Sequence, residues 1–141
     1  MKLKAIILDV IQKDIYPAEL TIEEGIFKEV KPITDETYTL DVNGIVVPGL
    51  IDAHIHIEST MLNLSHFASV AVRHGVTSVI CDPHEMANVA GKNGVISMME
   101  FAKDIPFGFH FAIPSCVPAT IFETAGGAIT SNDVEELIQM D

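Results

Sequence analysis

Short β-prone runs alternate with amphipathic stretches along the chain from Val46 onward. This alternation predicts a parallel sheet, because each crossover helix returns the chain to the same edge of the sheet. The expected elements are, in order, a strand within 47–58, a helix at 64–74 stopped by Gly75, a strand at 76–80, a helix from 93 or 94 to 103, a strand at 107–113 and a helix opened by a capping box at 132–135. The fold class is therefore α/β, with either a small open sheet or the opening part of a barrel.

The first 47 residues have a different texture. Their β-prone runs are separated by turn signals such as Tyr16-Pro17 and Asn43-Gly44. The predicted strands cover 4–10, 18–22, 25–30 and 37–47. We therefore expect a β-rich segment at 1–47 and an α/β domain at 48–141.

The segment 47–58 reads as a buried strand with polar side chains on one face. Side chains alternate between the two faces of a strand. One face would carry Ile51, Ala53, Ile55 and Ile57, and the other Asp52, His54, His56 and Glu58. Neutral imidazole is a common metal ligand and a cation offsets carboxylate charge, which favours a divalent metal at this face. The alternative is a half-exposed strand whose polar face meets solvent.

Polar clusters also follow the next two predicted strands. Parallel sheets carry their functional groups at the carboxyl ends of the strands. The candidates there are Asp82, His84 and Glu85 after the second strand and Ser115 after the third. The alternative for Asp82 is an N-cap before Pro83, and for Ser115 an ordinary turn residue. The other histidines, His66, His74 and His110, are expected to be structural because each lies inside a predicted element.

Composition narrows the classes of partner and compartment. Twenty acidic against eight basic residues give a formal net charge of −12, which argues against nucleic acid and anionic membranes as partners. No stretch approaches the roughly 20 apolar residues of a membrane span. Cys81 and Cys116 are isolated and show no Cys-x-x-Cys spacing, so a reducing cytoplasm is the expected location.

The motif at 47–56, Val-Pro-Gly-Leu-Ile-Asp-Ala-His-Ile-His, resembles the opening motif of the amidohydrolase superfamily. Its continuation at 57–61 and the segments 81–89 and 114–119 together resemble the bacterial adenine deaminase family. The superfamily resemblance implies the N-terminal part of a (β/α)8, TIM-like, metal-dependent hydrolase barrel. It also implies that the N-terminal strands contribute to a small β-sandwich.

The family resemblance implies hydrolytic deamination of adenine to hypoxanthine and ammonia, as in purine salvage. It implies a divalent metal (Mn, Fe or Zn), binuclear in the complete enzyme, and a nucleobase as the small-molecule partner. The implied roles are metal binding for His54 and His56, catalysis for His84 and Glu85, and substrate binding for Glu58, Asp82 and Ser115.

Glu58 separates the substrate classes within the superfamily. Relatives that resemble dihydroorotase carry at this position an arginine that binds the substrate carboxylate. A carboxylate there would repel an anionic substrate and can accept hydrogen bonds from a neutral purine. The alternatives are an amidohydrolase acting on a cyclic amide or an N-acetyl sugar, and a non-catalytic metal-binding or interaction module.

The remaining metal ligands of the superfamily would follow Asp141. We therefore expect this chain to be an N-terminal fragment that is inactive alone, and the full-length protein to be a homo-oligomer.

Overall fold

The computed structural model describes residues 1–35 and 37–140. Contacts divide the chain into two compact units, the first being Met1–Pro48 and the second beginning at Gly49. Among the described residues, no helix is long and apolar enough to cross a membrane.

The first unit is a four-stranded sheet in the order β3-β2-β1-β4. Its strands are β1 (Lys2–Asp9), β2 (Asp14–Glu23), β3 (Ile26–Pro32) and β4 (Ile45–Val46). The first three confirm the predicted meander, and their antiparallel pairing buries Ala5, Ile7, Ala18 and Leu20. The strand predicted at 37–47 is wrong in length, since only Ile45–Val46 pairs, in parallel with β1.

Asp41 accounts for the short fourth strand. Its carboxylate accepts a hydrogen bond from the Lys4 amide at 2.7 Å, and its own amide donates to the Lys4 carbonyl at 2.8 Å. This residue therefore reaches β1 partly through its side chain, in place of a continuous backbone ladder.

The second unit contains a parallel sheet in the order β5-β6-β7, as the strand and helix alternation predicts. The strands are β5 (Leu50–Ile55), β6 (Val76–Cys81) and β7 (Gly108–Phe111). The helices are α1 (Leu64–Ala71), α2 (His84–Ala102) and α3 (Ser131–Ile138), with short 3-10 turns at Glu58–Thr60 and Val72–His74. The main core packs α1 and α2 against the sheet around Leu64, Val79, Cys81 and Met98.

The continuous buried face predicted for the strand within 47–58 is wrong in its first half. β5 is an edge strand of the described sheet, and Ile51 is 65% exposed while Ile57 is only 1% exposed. The pairing with β6 also shifts register between Asp52 and Ile55. A β-bulge of this kind interrupts the simple alternation of faces on which the prediction rested.

Two helix starts differ from those predicted. α2 begins at His84, about nine residues before the predicted start, because its two halves are joined at a kink where Gly91 has φ +59° and ψ −147°. The break hides the first half from a periodicity analysis. The capping box of α3 is formed by Thr130 and Asp133, two residues before the predicted one. The predicted stop of the first helical segment at Gly75 is confirmed, with φ +82°.

Candidate metal centre

Two histidines and one aspartate converge at the carboxyl ends of β5 and β6. His54 lies in β5, His56 lies one residue beyond it, and Asp82 follows β6 directly. The Nε2 atoms of the two imidazoles are 3.3 Å apart, with the rings nearly perpendicular at 78°. One ligand atom from each of the three side chains lies within 4.8 Å of the others. This is the geometry expected of side chains that share one cation.

The backbone fixes the tautomer of His56. Its Nδ1 atom is 2.9 Å from the carbonyl oxygen of Asp82. A carbonyl oxygen can only accept, so Nδ1 carries the proton and donates it. In the neutral ring the lone pair is then on Nε2, the atom that faces His54. A ring nitrogen held by a backbone carbonyl is the usual arrangement behind a metal-binding histidine.

The carboxylate of Asp82 has a buried oxygen that a metal ion could neutralise. Its Oδ1 atom is buried and has no hydrogen-bond partner among the described residues, and the nearest cationic candidate, Nδ1 of His84, is 4.0 Å away. A buried carboxylate oxygen without a partner is costly unless a cation offsets its charge. Two imidazole nitrogens and one carboxylate oxygen suit zinc, iron or manganese, so the residues present fit a divalent metal.

Asp82 does not cap α2 as the alternative interpretation proposed. The N-cap position belongs to Pro83, and no side chain of the cap residue bonds the first turn. Glu58 takes this role from a distance of 28 residues: its Oε1 atom accepts a hydrogen bond of 3.2 Å from the Met86 amide in that first turn. A carboxylate at this position also complements the positive end of the helix dipole.

The second oxygen of Glu58 is available to a ligand. Oε2 is buried and has no hydrogen-bond partner in the described part of the chain. Because Oε1 is held by Met86, the orientation of the carboxylate is fixed and Oε2 remains free to accept.

Glu85 is oriented by a residue that the sequence did not single out. The hydroxyl of Ser59 donates to Oε1 of Glu85, and Oε2 lies 3.3 Å from Nδ1 of His56. Burial raises the pKa of Glu85, but the hydrogen bond from Ser59 and the nearby His56 and His84 outweigh it, so its pKa lies below the ordinary value. The only signal for Ser59 was its place beside Glu58, directly after the His-x-His segment.

The other predicted residues fall at different distances from this cluster. The ring of His84 is 6.2 Å from that of His56, centroid to centroid, so His84 borders the cluster. Ser115 is exposed in the segment after β7, and no hydrogen bond joins it to His54 or His56. The remaining three histidines, His66, His74 and His110, are exposed and lie outside the cluster.

Cys81, the last residue of β6, is fully buried, and its Sγ atom donates to the carbonyl oxygen of His110 at 3.5 Å. Burial raises the pKa of its thiol to about 12, with Glu58 and Asp82 adding to the shift. The thiol is therefore neutral at physiological pH, and only the thiolate is a strong nucleophile or metal ligand.

Comparison with known proteins agrees with the geometry. The family model described as "Amidohydrolase family" matches residues 45–139. The chain is 50% identical over 138 residues to the adenine deaminase of Methanosphaera stadtmanae, covering 98% of this chain and 24% of that protein. It is 50% identical over 135 residues to that of Methanothermobacter thermautotrophicus (96% and 24%) and 40% identical over 140 residues to that of Sulfurovum sp. (99% and 25%).

The chain thus spans about a quarter of the length of these curated relatives. The matched family segment runs from β4 to the residue that follows α3 and includes His54, His56 and Asp82. The chain belongs to the amidohydrolase family.

Proposed function

We propose that the protein encoded by the full reading frame hydrolyses adenine to hypoxanthine and ammonia with the help of a bound divalent metal. The observation that carries this proposal is the convergence of His54, His56 and Asp82 on one point. A buried carboxylate oxygen without a partner, Oε2 of Glu58, lies only two positions further along the chain from His56. The similarity to proteins named adenine deaminase supports the choice of substrate. The reaction would serve purine salvage.

The architecture that we propose around this site is a (β/α)8 barrel. The parallel strands β5, β6 and β7 would be its first three strands, with the cluster at their carboxyl ends, where barrel enzymes carry their active sites. The sheet of residues 1–47 would belong to a small β-sandwich, and residues 48–141 to the barrel. A complete barrel takes about 250 residues, so further strands would have to complete the one begun here.

His54 and His56 would hold the metal through their Nε2 atoms, and the carboxylate of Asp82 lies where it can join them. This assigns Asp82 to the metal in place of the substrate. A divalent metal lowers the pKa of a water molecule that it binds and so supplies a nucleophile at neutral pH. A second metal would require further ligands beyond this group of three.

Two proton movements accompany the exchange of the adenine amino group for oxygen. As the water oxygen adds to C6, one of its protons passes to N1 of the ring; as the C6–N bond breaks, the other passes to the amino group, which leaves as ammonia. Glu85 and His84 border the cluster and can carry these protons, since each is ionisable and close to His56. General acid–base catalysis by a positioned side chain typically accelerates a reaction by roughly 10²–10⁴-fold.

Glu58 would select the purine. Its free Oε2 can accept a hydrogen bond from an N–H group of a neutral base, while Oε1 stays on the Met86 amide. The same carboxylate would repel an anionic ring, which disfavours a dihydroorotase-like substrate. For Ser115, which is exposed in the segment after β7, a substrate contact remains a proposal.

A substrate panel tests the proposal. The protein encoded by the full reading frame, loaded with Mn, Fe or Zn in turn, is assayed for ammonia release from adenine, adenosine and cytosine, and for hydrolysis of dihydroorotate. We expect turnover of adenine that is lost on chelation and restored by metal. Hydrolysis of dihydroorotate without turnover of adenine would contradict the substrate assignment.

A further inference from the structure

A pair of glycines, Gly126 and Gly127, lies against α2 close to its kink. The amides of both donate to the carbonyl oxygen of Asn88, at 2.8 and 2.9 Å. Asn88 precedes the kink residue Gly91 by three positions, so the pair binds the helix just before its direction changes. The pair is hereafter called the glycine pair.

The approach of the two backbones is close enough to require glycine. A Cβ atom on Gly127 would lie 2.1 Å from the Gly91 nitrogen and 2.8 Å from the Ala87 carbonyl oxygen. A Cβ atom on Gly126 would lie 2.5 Å from the carbonyl oxygen of Val89. All of these neighbours are backbone atoms, so no flexible side chain can move aside.

The loop that carries the glycine pair is itself anchored to the protein core. The Ile129 amide donates to the Val117 carbonyl at 2.8 Å, which closes the loop at its base. Both residues are buried in a cluster with Ala87, before the kink, and Val95, after it. The loop therefore packs against both halves of α2, and this packing restricts the angle between them.

The first half of α2, residues 84–90, carries groups of the candidate site. It bears His84 and Glu85, and its Met86 amide fixes the carboxylate of Glu58. The direction of this half-helix therefore sets the placement of three groups at once.

We propose that the glycine pair acts as a positioning element for the active site, setting the direction of residues 84–90 through its contact with the Gly91 kink. Both glycines contact the backbone of residues 87–91, so we infer that they act on the site through Glu85 and Glu58. The inference rests on the proposed function for its activity readout, and its structural readout does not depend on that function.

The test compares Gly127→Ala with Gly108→Ala in the protein encoded by the full reading frame. The control adds the same methyl group at the opposite end of the sheet, where a Cβ atom would lie 2.5 Å from Cβ of Ser78. We expect Gly127→Ala to lower kcat for adenine about 100-fold, the scale of a displacement of about 1 Å in a catalytic group. Metal content should stay at the wild-type value. Gly108→Ala should lower the melting temperature and leave kcat unchanged.

Hydrogen–deuterium exchange provides the second readout. Amides of 84–90 should exchange faster in Gly127→Ala, while those of 94–102 keep the wild-type rate. The milder Gly126→Ala should act in the same direction and replaces Gly127→Ala if that variant does not fold. Wild-type exchange at 84–90 in a folded glycine-pair variant would overturn the inference. The inference would also be overturned if kcat fell in both Gly127→Ala and Gly108→Ala in proportion to the fall in melting temperature of each variant. If the wild-type protein does not turn over adenine, the proposed function fails and the exchange comparison alone decides the inference.

Discussion

At the scale of single residues, the two glutamates beside the histidines share one arrangement. Each has one carboxylate oxygen bound by the protein: Oε1 of Glu58 by the Met86 amide and Oε1 of Glu85 by the Ser59 hydroxyl. In each, Oε2 is buried without a hydrogen-bond partner among the described residues. The bound oxygen fixes the orientation. Oε2 of Glu58 can then accept from a ligand, whereas Oε2 of Glu85 lies 3.3 Å from Nδ1 of His56. This arrangement is pre-organised, which lowers the cost of ordering the site when substrate binds.

The first prediction concerns Glu58→Gln. The amide oxygen of glutamine can still accept from the Met86 amide, so α2 should keep its cap and the melting temperature should change little. The activation free energy for turnover of adenine should rise by roughly 1.5–3 kcal/mol, the contribution of a hydrogen bond to a charged group. Elemental analysis should find wild-type metal content. Loss of metal in this variant would instead make Glu58 a ligand.

The second prediction concerns Ser59. Ser59→Ala removes the donor that orients Glu85, and we expect kcat for adenine to fall about 10-fold, since hydrogen bonds to charged groups are worth this much or more. Ser59→Thr keeps a hydroxyl and should restore most of the rate. Steady-state kinetics on both variants provide the measurement. Equal activity of the Ser59→Ala and wild-type proteins would show that the hydrogen bond from Ser59 to Glu85 does not contribute to turnover.

At the scale of elements, α2 is connected to α3 as well as to the site. Lys92 follows the kink directly, and its Nζ atom lies 3.1 Å from Oδ1 of Asp133 and 2.6 Å from Oε2 of Glu136. Asp133 also completes the capping box with Thr130. Hydrogen bonds from Thr130, followed by that from Lys92, lower the pKa of Asp133 to about 2, from an ordinary value of 3.8.

A pH dependence follows, which is the third prediction. Because the folded-state pKa is below the unfolded one, Asp133 contributes stability that is complete above about pH 4 and is lost as the pH falls towards about 2. Asp133→Asn should therefore show a shallower fall of melting temperature over this interval. Asp104→Asn, at an exposed aspartate outside the described ion pairs, is the control. Parallel profiles for wild type and Asp133→Asn would contradict the assignment.

The elements differ in how far the sequence predicts them. Parallel strands and α1 follow from local patterns of β-branched and apolar residues, and strand ends indicate where His54, His56 and Asp82 meet. The first half of α2 cannot be predicted from such a local pattern, because the Gly91 kink interrupts the periodicity of the helix. The bonds from Met86 to Glu58 and from Ser59 to Glu85 join residues 28 and 26 positions apart. Contacts over such separations are set by tertiary packing and leave no local pattern.

At the scale of the whole molecule, the second unit leaves apolar surface uncovered. Leu50 and Ile51 of the edge strand β5 are 57% and 65% exposed. An open depression, in which most of the lining residues are apolar, also lies among α2, β7 and α3; Phe107, Phe109 and Val134 form part of it. Exposed strand edges and apolar patches favour association with other chains.

The fourth prediction is that the isolated 141-residue chain associates in solution and releases no ammonia from adenine. Sedimentation velocity over a range of concentrations measures the association. Ile51→Lys should reduce it, because a charged side chain on an edge strand opposes pairing with another edge. A monomeric wild-type chain that deaminates adenine would contradict this prediction.

Whether His54 and His56 hold the metal is tested by the metal content of histidine variants of the protein encoded by the full reading frame. His54→Ala and His56→Ala should each lose bound metal in elemental analysis and lose ammonia release from adenine with it. His66→Ala, at an exposed histidine on α1, should retain both. Wild-type metal content and activity in His54→Ala and His56→Ala would contradict the claim that these two imidazoles hold the metal of a deaminase.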